Sequence, residues 1–394
     1  MCKKTVFAFG VYLLSFVANA QTDGIARVLR EVEQNNKELK AYSDLMVSRS
    51  LELKSTNNLP DPQAGFFYLP WGEHTSGDYT EFQFTQSFEF PTVYRTRNEL
   101  IAKELESMQL DFGAMKQKVL LLAKRHCVEL TYMNKRLAVE QSRVQQAQQV
   151  FEQIEELFGK EQVSILEVNK AKVVWIQEQF KVEQLENDIR NVLHELQNLN
   201  GGVELNFTQT EFVESLDLNS LDSIWQEKES IDPNILSLKQ RETVALQHVK
   251  LYRNSSLPNL TAGFNSQGIS GERFSGVYGG ISIPLWNNKS KVKAADAYYQ
   301  YRRSYTSALS LVAFTDFQKQ YNDYQVLLSK YNEYQDTISG INSDALLLQA
   351  YELGEISFLE YYMELQFYQK ADDSMLEMEK QLYWLKAEIL KHRL

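Results

Sequence analysis

The stretch Leu59-Pro60-Asp61-Pro62-Gln63-Ala64-Gly65-Phe66-Phe67 recurs 198 residues later as Leu257-Pro258-Asn259-Leu260-Thr261-Ala262-Gly263-Phe264-Asn265, with five of nine positions identical. Ser87-Phe88-Glu89-Phe90-Pro91 returns as Gly280-Ile281-Ser282-Ile283-Pro284, at an offset of 193. Val163-Ser164-Ile165-Leu166-Glu167 and Ile356-Ser357-Phe358-Leu359-Glu360 keep that offset of 193. Three landmarks in the same order, twice, predict a duplicated unit. The first copy takes residues 21–200 and the second 231–394, with 201–230 as a linker.

Most of the sequence between the landmarks is helical in pattern. From Pro91 to Phe158 there is no further proline and one internal glycine, Gly113. Leu137, Val144, Ala147, Phe151, Ile154 and Phe158 fall on a seven-residue grid, as coiled-coil seams do. Val182, Leu185, Ile189, Val192, Leu196 and Leu199 form a second seam. Ala371, Met375, Met378, Leu382, Leu385 and Ile389 form a third, which assigns both methionines to packing rather than to a soft metal. A helix over residues 94–158 is roughly 100 Å long at 1.5 Å per residue. That length suits a tube, stalk or bundle. Gly159 and Gly354 precede the paired Ser-x-Leu-Glu landmarks, so each copy is expected to hold a helical hairpin that turns there. Pro233 is expected to open a helix running to about Asn254.

The segments after the two Leu-Pro landmarks have a period of two, hence strands. Phe82, Phe84, Phe88 and Phe90 alternate with Glu81, Gln83, Thr85, Ser87 and Glu89. Val277, Ile281, Ile283 and Leu285 alternate with Gly276, Tyr278, Gly280 and Ser282. Gln63 to Leu69 and Leu260 to Gln267 are the partner strands, joined through loop-like sequence. Each copy then carries one hairpin whose strands approach the 9–11 residues of a tilted membrane strand. An apolar outer face and a polar inner face fit a water-filled barrel. Four strands do not close a barrel, and an open edge is not tolerated in lipid. The membrane reading therefore requires an oligomer, and a trimer supplies twelve strands.

Residues 1–20 read as an export signal: Lys3 and Lys4, an apolar run from Thr5 to Val17, and Ala18-Asn19-Ala20 before Gln21. The net charge of −11 becomes two units more negative without those lysines. An acidic chain argues against nucleic acid as a partner. Cys127 is then the one remaining cysteine, set in a helical pattern that suits a packed thiol. The five histidines, His74, His126, His194, His248 and His392, are scattered and give no metal or nucleophile–base motif. No enzyme, metal site or cofactor is indicated.

With these features the chain resembles the TolC family of outer-membrane efflux proteins. The resemblance rests on the duplicated Leu-Pro-x-x-x-Ala-Gly-Phe starts, the strand–proline–helix junctions at Pro91 and Pro284, and the paired tips. It covers essentially the whole chain after residue 20. The Leu-Pro-Asp-Pro form and Gln86 to Pro91 look most like the Cus/Czc-type heavy-metal branch. The resemblance implies a mostly α fold with a membrane β-hairpin pair: a long coiled-coil helical tube plus a 12-stranded trimeric β-barrel. It implies a homotrimer in the outer membrane of a Gram-negative bacterium, extending into the periplasm. Its partners are a periplasmic adaptor protein, an inner-membrane pump of the RND type, and outer-membrane lipid. Glu167 and Glu360 match acidic residues at the family's periplasmic mouth. Tyr351 matches a tyrosine that helps keep the mouth shut, whereas Ile356 stands where the accompanying arginine would be. Gly159, Ser164, Leu166, Gly354, Ser357 and Leu359 match the adaptor-facing tips. Phe82, Phe84, Phe88, Phe90, Val277, Ile281, Ile283 and Leu285 are the expected lipid-facing positions. The activity implied is a passive export duct for small molecules or metal cations. Alternatives are a type I protein secretion duct, a periplasmic coiled-coil adaptor and an exported hydrolase.

Overall fold

A computed structural model describes residues 24–71, 77–269, 271–286, 290–339 and 343–394. The expected export signal, Cys2 and His74 lie outside these residues. In chain order the elements are α1 (Gly24–Asn35), α2 (Lys37–Ser55), β1 (Gln63–Leu69), β2 (Tyr79–Phe88), α3 (Pro91–Gly159) and α4 (Ile165–Leu199). Then follow α5 (Leu221–Ile231), α6 (Pro233–Asn254), β3 (Asn259–Ile269), β4 (Glu272–Ser282), α7 (Lys291–Ser339), α8 (Ser343–Glu352) and α9 (Phe358–Ile389). The order αα-ββ-αα of the first copy returns as αα-ββ-ααα, with α7, α8 and α9 after the second hairpin. Pro91 opens α3 and Pro233 opens α6, both at the first helical position, where a missing N–H costs nothing.

The chain divides into two compact units that cut across the sequence repeat. One holds Ala41–Met115 and Gln226–Thr315; the other holds the residues up to Lys40, Lys116–Trp225 and Asp316–Leu394. Each copy of the repeat contributes to both, because α3 and α7 run from one into the other.

The first unit contains the sheet. All four strands form one antiparallel sheet in the order β1-β2-β3-β4, so the hairpins of the two copies pair with each other through β2 and β3. Below the sheet-forming residues, α6 lies antiparallel to the start of α3, fastened by polar side chains. Ser237 and Arg241 donate to Asp111 at 2.7 and 2.9 Å. Gln240 donates to the Lys103 carbonyl at 2.9 Å, Gln247 to Glu99 at 3.0 Å, and Asn254 to Thr96 at 2.5 Å. Gly113 faces Pro233 across this contact, where an added Cβ would lie 3.1 Å from the proline Cβ.

Among the described residues, two apolar clusters lie in the second unit. One gathers Val150, Phe151, Ile154, Val168, Ala171, Phe358, Tyr361 and Leu365. The other gathers Ile224, Phe317, Tyr324, Tyr331, Leu382 and Ile389, with Met375 and Met378 packed beside it as the seam predicts. On α9 a charged stretch separates the two. There Arg143, with 6% of its side chain exposed, bonds Asp373 at 2.9 Å, Glu140 at 3.2 Å and the Gln369 carbonyl at 3.2 Å. Lys380 sits 4.3 Å from the centre of the Tyr132 ring and pairs with Glu377 at 2.9 Å. The segment before α5 packs on α3, α7 and α9 in the same unit. Phe212 stacks on Tyr383 at 4.0 Å, Tyr383 donates to the Glu214 carbonyl at 2.6 Å, and Tyr324 donates to the Leu216 carbonyl. Cys127 is fully buried, and burial pushes its thiol up to about 12, so it is a packed group and not a nucleophile.

Candidate functional site

The sheet has two chemically different faces. Strand alternation and register put Ala64, Phe66, Phe82, Phe84, Phe88, Leu260, Phe264, Val277 and Ile281 on one of them. Ala64, Phe84, Phe264 and Val277 lie in one cross-strand row. Phe84 is 44% exposed, Phe264 43% and Val277 94%, so the row is open to its surroundings in a single chain. The opposite face carries Glu81, Gln83, Thr85, Ser87, Thr261, Asn265 and Gln267. Here Tyr79 donates to Glu81 at 2.6 Å, and Asn265 donates to Glu81 at 2.7 Å.

Five of the eight expected lipid-facing residues, Phe82, Phe84, Phe88, Val277 and Ile281, lie in strands. Phe90, Ile283 and Leu285 do not. β2 ends at Phe88, and the Phe90 carbonyl accepts from the Val93 N–H at 2.8 Å, so Phe90 belongs to the start of α3. β4 ends at Ser282, and a tight turn bonds the Leu285 N–H to the Ile283 carbonyl at 2.9 Å. The junction at Pro284 also differs from expectation: α7 begins only at Lys291. A proline supplies no ladder donor, so it ends a strand without having to begin a helix. Phe66, Leu260 and Phe264 are outward apolar residues missing from the expected set. The duplicated phenylalanine of the Ala-Gly-Phe landmark was the signal for two of them.

The helix-ending backbone turns at the two tips match at the offset of 193. At the end of α3, Gln162 N–H bonds the Leu157 carbonyl at 3.0 Å and Glu161 N–H bonds Phe158 at 2.9 Å. At the end of α8, Glu355 N–H bonds the Ala350 carbonyl at 2.9 Å and Gly354 N–H bonds Tyr351 at 3.0 Å. Both are Schellman closures, which satisfy the last helical carbonyls. The residue in the left-handed conformation is Gly354 in one, with φ +74°, and Glu161 in the other, with φ +58°. Gly159 is thus not the counterpart of Gly354; it is the last residue of α3, and the turn comes two residues later.

Ser164 and Ser357 then cap α4 and α9. The Glu360 carboxylate accepts from the Ser357 N–H and hydroxyl, both at 2.8 Å, and the Glu167 carboxylate accepts from the Ser164 N–H at 3.4 Å. These are capping boxes, a local reason for both glutamates to recur. The bonds from Ser357 hold the Glu360 carboxyl below the usual range, first through the backbone N–H and then through the hydroxyl. Tyr351 stacks on Tyr361 at 5.3 Å and meets Phe358 edge-on at 6.3 Å. Burial raises its hydroxyl pKa, and the nearby Glu167 carboxylate raises it further. The two tips enclose a cleft of 540 Å³, lined by Glu156, Lys160, Glu167, Tyr351 and Glu352 among others. Leu166 and Leu359 are 67% and 50% exposed beside it, and nothing crowds Gly159 or Gly354.

Among the described residues no group of three or more His, Cys, Asp or Glu side chains is placed to hold a metal, and no helix is long and apolar enough to cross a membrane.

No family model and no curated protein matches the sequence. Solved structures do. A structure of CusC, described as changing conformation with folding and transmembrane channel formation, superposes with a TM-score of 0.75 at 14% identity, over 94% of this chain and 92% of that one. The outer membrane protein VceC of Vibrio cholerae gives 0.73 at 14% identity, over 93% and 95%. The open state of the Neisseria gonorrhoeae MtrE outer membrane channel gives 0.63 at 14% identity, over 94% and 88%. At such identity the likeness shows the fold: the chain is built as these channel proteins are, mostly helical, with one four-stranded antiparallel sheet.

Proposed function

We propose that the chain is one protomer of a trimeric outer-membrane channel, a passive duct in a tripartite efflux system. The observation that carries this is the sheet. Its order, β1-β2-β3-β4, leaves β1 and β4 unpaired on their outer sides. One face is mostly apolar and aromatic, and the other carries the strands' carboxylates and most of their amides, with a few apolar side chains toward the hairpin ends. In lipid every backbone group needs a partner, so such a sheet is stable only when other copies close it. Three copies give twelve strands, the even number of a closed antiparallel barrel. The shared fold with known outer-membrane channels supports the same reading, and so do strands of 7 to 11 residues.

In this reading the tips form the periplasmic mouth. The exposed Leu166 and Leu359 offer an adaptor its contact surface, with Gly159, Ser164, Gly354 and Ser357. Glu167 and Glu360 add six carboxylates per trimer, which favour cations in a narrow pore. The duct does no chemistry; an inner-membrane pump of the RND type, reached through the adaptor, supplies the energy. The cargo is small molecules or metal cations.

The protein should be extracted from the outer membrane in detergent as a trimer that converts to monomer on heating in SDS. It should also form ion-conducting channels in planar bilayers. A monomer that stays soluble without detergent would overturn the proposal.

A further inference from the structure

On the polar face of the sheet, the described strands carry two carboxylates, Glu81 and Glu272, and no cation. Glu272 is the first residue of β4, at the hairpin end, whereas Glu81 lies inside β2. We propose that the Glu81 carboxylate, fixed by Tyr79 and Asn265, makes the barrel lumen prefer cations. This rests on the channel reading above and adds a selectivity element in the sheet, separate from the tips.

The geometry holds the charge in place. Tyr79 Oη donates to Glu81 Oε2 at 2.6 Å, and Asn265 Nδ2 donates to Glu81 Oε1 at 2.7 Å. Each carboxylate oxygen therefore has a donor, the Gln267 side chain adds a further hydrogen bond, and the carboxylate cannot swing away without losing them. None of these donors is a cation, so the negative charge is not neutralised. Asn265 Oδ1 is buried and has no hydrogen-bond partner, which adds a carbonyl oxygen beside the carboxylate. The same cross-strand row continues to Phe67 on one side and to Gln267 and Phe274 on the other. The two phenylalanines are 50% and 63% exposed on this face and offer water few competing polar contacts.

Range decides whether three such charges matter. A twelve-stranded barrel with strands about 4.8 Å apart and tilted about 40° is about 25 Å across between backbones. Side chains on the wall narrow that to about 15 Å, so at the level of Glu81 no point across the lumen is more than about one Debye length from a carboxylate at 0.1 M salt. At 1 M salt the Debye length falls to about 3 Å and most of the lumen is screened.

The test is the reversal potential of single channels in a potassium chloride gradient. Wild type is expected to favour potassium over chloride at 0.1 M. Glu81→Gln should lower the permeability ratio at least about twofold and Glu81→Lys should lower it further, with both differences shrinking at 1 M. The series is repeated in a Glu167→Gln, Glu360→Gln background, because glutamine still completes a capping box and the tips then no longer mask the barrel. Thr85→Glu, on the same face but away from the Glu81 bonds, should raise the ratio and carries the test if the Glu81 variants fail to assemble. Channels of normal conductance whose ratio is unchanged by these substitutions would overturn the inference while leaving the duct standing. A wild type that forms no channels would overturn the duct, and the inference with it.

Discussion

Glu161 and Gly354, 193 residues apart, occupy the same left-handed position in two equivalent helix-ending turns, with φ +58° and +74°. Glycine adopts that conformation freely, whereas a residue with a Cβ carries strain of about 1–2 kcal/mol. Glu161→Gly should therefore stabilise the first tip by about 0.5–1 kcal/mol, the strain relieved less the extra freedom glycine has when unfolded. Gly354→Ala should weaken the second tip by about 1 kcal/mol or slightly more. Limited proteolysis at the tips checks both, with slower cleavage near residue 161 in the first variant and faster cleavage near residue 354 in the second. Equal cleavage in all three proteins would show that the turns tolerate either residue.

The capping box at Ser357 should respond to acid. Glu360 has its folded pKa depressed, so its contribution is present above the ordinary glutamate range and is lost as pH falls through the folded value. Amide exchange, corrected for its intrinsic pH dependence, should then show the start of α9 opening as the solution is acidified below that range. Glu360→Gln keeps an acceptor but no titrating group, so its protection at the same amides should not vary with pH. If both proteins open alike, another group controls the tip.

Arg143 joins α3 to α9 through Asp373 and the Gln369 carbonyl, and also pairs with Glu140 on its own helix. Removing one member of a buried charge network leaves the others unpaired, at a cost of about 3–5 kcal/mol. Arg143→Ala should fall toward the lower end of that range, because Glu140, with 2% of its side chain exposed, cannot turn to water but keeps Arg136 at 3.4 Å. Asp373→Asn should cost clearly less, because 35% of Asp373 is exposed and Arg143 keeps Glu140. The temperature at which the SDS-resistant oligomer dissociates ranks the two, and a reversed order would refute the assignment.

The repeat made much of this fold legible. Alternating phenylalanines showed β2, seven-residue spacing showed α3, α4 and α9, and the Ser-x-Leu-Glu pairs placed the two helix starts. What escaped depended on chemistry that sequence does not mark. A glutamate gives no sign of a left-handed backbone, so Gly159, the nearest glycine, stood in for Glu161. The repeated prolines suggested equal junctions, yet Pro91 opens a helix and Pro284 does not. The repeated glycines also differ: a side chain at Gly263 would strike the Phe84 carbonyl, whereas Gly65 meets only Phe67 at 3.8 Å. The bond between Glu81 and Asn265 joins residues 184 apart, and only the β2–β3 register brings them together. The two compact units were hidden for a related reason, since helices that run through both leave no linker to mark a boundary.

The two faces of the sheet make opposite predictions for the same substitution. Phe264 lies on the apolar face between Phe84 and Val277, and Thr85 lies on the polar face opposite Gly263. A lysine that meets lipid near the middle of a bilayer costs about 2–4 kcal/mol, and one in an aqueous lumen costs little. Three protomers multiply that cost, so Phe264→Lys should leave little heat-modifiable trimer in the outer membrane. Thr85→Lys should assemble at near wild-type yield and lower the permeability for potassium relative to chloride, since it places a cation on the wall that carries Glu81. Immunoblots of unheated membrane fractions measure the first effect, and bilayer recordings measure the second. Should Phe264→Lys assemble normally while Thr85→Lys fails, the faces are reversed and the aromatic side lines the pore.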